Sequence, residues 1–310
     1  MQRNDLYYAV KDAQTKLGQS TELFFSEEVM RTDLALESKT NVNALNGIHE
    51  ETEERSGIRI DRIDVTEPET ARLLDKPVGR YITIRASRED YMDRDRRQTI
   101  AKVLSEELKC MAGKIESCMV VGLGNRYVTA DALGTKTAEY VLVTRHIHMH
   151  MKDVLPEGTP VTSAFCANVL GVTGMETAEV VSALTGCIRP ELVVLVDSLA
   201  AASTEHIGCV IQCNDSGIAP GAGVGNFRTM LTSDLLKVPV IAVGVPTVVS
   251  AETIVKENGS VPARAFMDKD LIVSPKDIDA VIRDLARVLS DAINLMLFGE
   301  NYPILEKLLR

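Results

Sequence analysis

Four short runs, at residues 118–123, 192–196, 208–212 and 239–244, are apolar without polar alternation. A strand with one wet face alternates, whereas a strand covered on both faces does not, so these runs read as parallel strands buried between helices. The segments between them read as helical, and the pattern from residue 118 onward is βα. Upstream, IRIDRIDV at 58–65 alternates and predicts a half-buried strand, and YITIRA at 81–86 predicts another. Pro68 opens a short helix, where its fixed φ and missing N–H are tolerated. Residues 91–114 and 276–298 predict two long amphipathic helices. In the second, Ile278, Val281, Ile282, Leu285, Val288, Leu289, Ile293 and Leu297 recur at helical spacing. Residues 1–30 are polar apart from Leu23-Phe24-Phe25 and read as a peripheral arm.

At 310 residues the chain is long enough for one large α/β domain or two smaller ones. With 4% aromatics and no Trp, its core must be mostly aliphatic. A net charge of −10 argues against direct nucleic-acid binding, which needs a basic footprint. Cys110, Cys118, Cys166, Cys187, Cys209 and Cys213 form no CxxC pair and read as free, buried thiols of a reducing compartment. No segment reaches the roughly 18 apolar residues of a membrane-spanning helix, and MQRNDLYYAVKD lacks the apolar core of a secretory signal. A soluble, cytoplasmic chain is expected.

Two of the apolar runs lead into an acid. MVVGLGN (119–125) reaches Asp131 after a short loop, and LVVLV (192–196) runs directly into Asp197. In open α/β sheets, ligands sit outside the carboxyl ends of the parallel strands, so both carboxylates can enter one crevice. Two like charges held close force one group to keep its proton, a route to acid/base chemistry without a metal. Each acid also has a plainer reading. Thr129 fits as a helix N-cap with Asp131 in the first turn, where the helix dipole favours its ionised form. Asp197 would cap a following helix.

Two further motifs carry alternatives. NDSGIAPGAGVGN (214–226) is a glycine-rich loop, including Gly223, that lets backbone approach a peptide or a nucleotide. It is neither GxGxxG nor a phosphate loop. His146, His148 and His150 would share one face of a strand and bind zinc, but at the end of a helix begun near 131 they splay around it.

The segments RTDLALE (31–37), VVGLGNRYVTADALG (120–134), VLVTRH (141–146), GVTGMET (171–177), VVLVDSLAA (193–201), IQCNDSGIAPGAGVGN (211–226), VPVIAVGVPTVV (238–249) and the helix at 274–297 together resemble the germination proteases of spore-forming bacteria. The resemblance implies an endopeptidase that degrades small acid-soluble spore proteins, without a cofactor or a metal, in the forespore or spore core. It implies a three-layer α/β/α sandwich with a mostly parallel sheet, similar to hydrogenase maturation proteases. It places the two essential aspartates on Asp131 and Asp197. It also implies a homotetramer made as a zymogen, with residues 1–28 as propeptide, a self-processing cut between Glu28 and Val29, and a single peptidase domain over 29–310. Three features depart from the family. Ala130 replaces proline, His148 and His150 are not family features, and the stretch at about 256–268 is short.

On this reading one aspartate takes a proton from water and the other donates one to the scissile amide. Asp131 is expected to be the base and Asp197 the acid. A substrate glutamate at the cut needs a cation, and Arg145 and Arg228 are candidates, with Asn125 and Gly223 beside them as substrate-binding positions. A metal-assisted peptidase using Asp131, Asp197 and a histidine, and a non-catalytic peptide-binding module, are the rival readings.

Overall fold

The computed structural model describes residues 32–40, 46–222, 228–258 and 271–309. The expected propeptide, the Glu28–Val29 cut, Gly223 and most of the short stretch near 256–268 lie outside the described residues.

Among the described residues nine strands form one sheet: β1 (Ile48–Arg55), β2 (Ile58–Val65), β3 (Gly79–Arg85), β4 (Ser117–Gly122), β5 (Val161–Cys166), β6 (Leu192–Ala201), β7 (Val210–Asn214), β8 (Val240–Ser250) and β9 (Ile272–Val273). Their order is β1-β2-β3-β7-β8-β6-β4-β5, with β9 on β8. The sheet is mixed. Strands β8, β6, β4 and β5 run parallel, while β1, β2, β3 and β7 extend it antiparallel as far as β8. The run at 208–212, expected to be parallel, is β7 at 210–214 and is antiparallel to both neighbours. Its lack of alternation reflects burial on both faces, which strand direction does not alter.

Helices cover both faces, as an α/β/α sandwich requires. The site argument uses α1 (Ala35–Thr40), α2 (Pro68–Leu74), α3 (Arg94–Ala112), α4 (Leu133–Tyr140), α5 (Arg145–His150), α6 (Thr177–Ile188), α7 (Ser233–Leu236) and α8 (Ile278–Phe298). Successive side chains of a strand point to opposite faces. Val194 and Val196 of β6, with Val120 of β4 and Ile241 and Val243 of β8, therefore pack in one core with Leu104, Leu133 and Leu289 of α3, α4 and α8. Val193 and Leu195, with Met119, Val121 and Ala242, pack on the other face with Val181 of α6 and Leu236 of α7. The long helix expected at 91–114 is divided. Asp93 closes a short helix at Arg88–Met92, and its carboxylate then accepts from Arg96 N at 2.8 Å to cap α3. All six cysteines are free, but Cys110 and Cys187 are exposed rather than buried. No helix among the described residues is long and apolar enough to cross a membrane.

The strand lengths shape one end of the parallel half. Strand β4 pairs with β6 only as far as Gly122 opposite Val196. Leu123 still donates its N–H to Val196 O at 2.8 Å, and the chain then turns away through Gly124 at φ +86°. Strand β6 continues to Ala201 beside β8, with Asp197 opposite Gly244. After β4 the chain goes to β5 on one side, and later returns to β6 on the other. A crevice therefore opens at the carboxyl ends of β4 and β6, the switch point at which open α/β sheets bind ligands.

Candidate active site

Asp197 lies within β6, not at its end. No helix follows for it to cap, because the strand runs on for four more residues. It is 3% exposed, and Oδ1 accepts the N–H of Ser198 at 2.8 Å. Burial, then the neighbouring charge of Asp131 and, more weakly, that of Asp33, pushes its carboxyl well above the usual carboxylate range, with the Ser198 N–H pulling the other way.

Asp131 closes a single 3₁₀ turn, Thr129–Asp131. Thr129 is not an N-cap, and Asp131 is not in the first turn of α4, which starts at Leu133. The dipole argument for an ionised Asp131 therefore gives way to a different balance. Burial raises its carboxyl, and the N–H of Asn125, 2.8 Å from Oδ2, counteracts this by stabilising the anion. The turn is held from three sides. Asp131 N donates to Val128 O at 2.8 Å, and Val128 N donates to Asn125 O at 3.0 Å. The hydroxyl of Thr247, fully buried on β8, donates to Ala130 O at 2.7 Å. Gly124 leaves no room for a side chain, because a Cβ there would run into the Asp131 carbonyl and stand 2.8 Å from its Oδ1. Gly134 is equally confined, against the carbonyls of Val196 and Leu123, which lets α4 start directly against the ends of β4 and β6. Asn294 of α8 fixes the far end of α4, accepting from Leu142 N at 2.9 Å and donating to Tyr140 O at 3.3 Å.

Asp131 and Asp197 line one cavity of about 500 Å³. Asn125 and Arg228 line it too. The Asn125 side chain accepts Tyr127 N–H at 3.0 Å, so its backbone N–H, not its amide, serves Asp131. Arg228 Nη1 is 3.0 Å from Glu176 Oε1, both partly exposed. Val128, Val169, Leu170, Leu199, Val248 and Ile272 give the cavity apolar walls. Arg145 starts α5, and the structure does not bring it to this cavity.

His146, His148 and His150 also lie on α5, a short helix distinct from α4, and no histidine is among the described residues that line the cavity. Among the described residues no three His, Cys, Asp or Glu side chains stand close enough together to hold a metal ion.

Two residues of the site escaped the reading of the sequence. Asp33 lines the same cavity, and Thr247 supports its floor. Asp33 stood in the RTDLALE segment without any periodic signal. Thr247 lies beyond the apolar run at 239–244, in the part of β8 that the run does not reach.

The arrangement pairs a deeply buried carboxyl that favours its proton with a less buried carboxyl held by an N–H donor. It suits hydrolysis in which one group donates a proton while the other accepts one.

Comparison with known proteins places this site in context. The family model for germination proteases matches residues 25–260. The germination protease of Caldanaerobacter subterraneus subsp. tengcongensis is 36% identical over 86% of this chain and 94% of its own length. That of Clostridium perfringens (strain 13) is 33% identical over 86% and 95%, and that of Bacillus subtilis (strain 168) 39% identical over 77% and 68%. Among solved structures, the [NiFe] hydrogenase maturation protease HycI from Thermococcus kodakarensis KOD1 aligns over 60% of this chain and 98% of its own, with a TM-score of 0.36 and 16% identity.

Proposed function

The chain belongs to the germination protease family, and from that premise we propose that it is an endopeptidase whose reaction centre is the pair Asp131 and Asp197. The observation that carries the proposal is a buried carboxyl, Asp197, and a half-buried one, Asp131, lining one cavity, with Asp197 the more strongly raised. Asp131, stabilised as an anion by Asn125 N–H, removes a proton from water as the water oxygen attacks the scissile carbonyl carbon. Asp197 gives its proton to the leaving amine as the tetrahedral intermediate collapses. The C–N bond breaks, and a proton passed from Asp131 to Asp197 resets the pair.

The substrates in this reading are small acid-soluble spore proteins, cut after a glutamate, in the forespore or spore core. Arg228 is the cation that faces the cavity for that glutamate. The chain is made as a zymogen that removes residues 1–28 by its own activity and works as a homotetramer.

Incubation of the purified protein with a peptide carrying glutamate in an acidic–apolar sequence, with and without a chelator, tests the reaction class. Cleavage after glutamate that survives exhaustive chelation and disappears in D131N and D197N is the expected result. Full cleavage by either variant would overturn the assignment, and loss on chelation would transfer the chemistry to a metal.

A further inference from the structure

A third carboxylate reaches the cavity from outside the parallel strands. Asp33 comes just before α1, and it is bound to β6 as an edge strand would be. Its N–H donates to Ala200 O at 3.0 Å, and its Oδ2 accepts Ala200 N–H at 2.8 Å. Asp33 O in turn accepts from Gln212 Nε2 of β7 at 3.0 Å, and Gln212 Oε1 accepts from Ala35 N at 2.8 Å. Three hydrogen bonds thus fix Asp33 against Gln212 and against Ala200, three positions beyond Asp197 on β6, and a fourth ties Ala35 to the same Gln212.

We infer that Asp33 is a positioning residue for the proposed reaction, its carboxylate clamped to the end of β6 so that its charge keeps the proton on Asp197. The inference rests on the acid/base reading above. The charges around the pair support it. Asp197 faces Asp131 from the turn after β4 and Asp33 from the segment before α1, both negative, and both disfavour its ionisation. Among the described residues, Lys76, just past α2, is a cation that Asp33 acts on. It is largely buried, its Nζ donates to Thr32 O at 2.7 Å, and it feels Asp33, Asp75 and Glu37. Glu37 is itself engaged by His206, 2.6 Å away. Within the cavity, Arg228 is paired with Glu176.

A purely structural Asp33 would serve only to accept Ala200 N–H, and Asn at that position still accepts it. D33N therefore separates charge from scaffold. In the pH profile of kcat/KM for peptide cleavage, the descending limb reports loss of the proton from the acid. Removing a nearby negative charge makes Asp197 easier to ionise, so in D33N that limb moves to lower pH, by roughly half a unit or more. D33E retains the charge and the unshifted limb. A limb that stays in place in D33N overturns the inference. Where D33N cleaves too slowly for a profile, the carboxyl ¹³C shift of Asp197 in the full-length protein replaces it. Titration at lower pH than in the unsubstituted chain supports the role, and an unchanged titration overturns it. D131N and D197N in the same assay keep the two readings apart. If they still cleave, the acid/base reading falls. If they are dead and the D33N limb is unmoved, only the role of Asp33 falls.

Discussion

Gly124 lies so close beneath Asp131 that a Cβ on the glycine would collide with the aspartate's carbonyl oxygen. Its φ of +86° also disfavours any other residue. Gly124→Ala should therefore push the Thr129–Asp131 turn out of place. A cost of roughly 1–3 kcal/mol is expected from strain of this kind. Chemical denaturation reads that cost. Steady-state kinetics should show kcat falling far more than KM rises.

The hydroxyl of Thr247 supports the same turn from below. Thr247→Val keeps the volume and leaves Ala130 O without its partner. The expected loss is about 0.5–1.5 kcal/mol of stability, the net worth of one hydrogen bond. A variant as stable and as active as the parent would show that the turn does not depend on β8.

Asp131→Asn and Asp197→Asn should each lower kcat/KM by a factor of about 10² to 10⁴, the span of general acid/base catalysis. Both should also stop any self-processing, which gel mobility or mass spectrometry of the purified chain would reveal.

Asp197→Asn has an opposite effect on stability. Asp197 holds its proton to higher pH in the folded state than in the unfolded chain, where it titrates normally. The folded state therefore binds more protons between those two values, and its stability falls as pH rises through that window. The asparagine variant escapes this loss while still accepting Ser198 N–H. It should melt at higher temperature than the parent at neutral pH, and the difference should vanish below the ordinary aspartate pKa. Melting curves at about pH 3 and 7.5 suffice, with equal shifts at both pH values contradicting the argument.

Far from the cleft, Arg62 of β2 grips Glu107 of α3 with Nε–Oε2 at 2.9 Å and Nη2–Oε1 at 2.7 Å. The Glu107 side chain is 4% exposed. Arg62→Met would leave that carboxylate only Arg55, 3.1 Å away. A loss of about 3 kcal/mol is expected from breaking a buried pair on one side. Urea denaturation would measure it, with peptide cleavage unchanged at temperatures where the variant stays folded.

The strands buried on both faces were plain in the sequence because every residue of Leu192–Val196 faces a core. Their ends were not. Asp197 read as a terminus because polarity usually marks one, whereas β6 continues through it, paired with β8 on one side and met by Asp33 at Ala200. Strands β1 and β5 escaped notice for a related reason. Edge strands bury little, and IHEETEER shows no apolar face. The two aspartates were legible through the strands that carry them. The third carboxylate was not, since Asp33 reaches the cavity by pairing with a strand 167 positions away, and local patterning holds no trace of such pairing. Arg145 failed in the opposite way, as a cation suggested by composition that the fold places on α5, off the cavity wall.

The unequal lengths of β4 and β6 separate what must stay fixed from what can vary. Asp197 is seated within a strand of the sheet, and Asp131 on a 3₁₀ turn that Asn125, Val128 and Thr247 hold in place. The rim is built otherwise, from Val169–Gly171, Pro220–Gly221 and Ile272. A lineage could exchange that rim, and with it the peptides admitted, without disturbing the two carboxyls beneath. For an engineer, the same division means that new selectivity should be sought at the rim, with the ends of β4 and β6 left untouched.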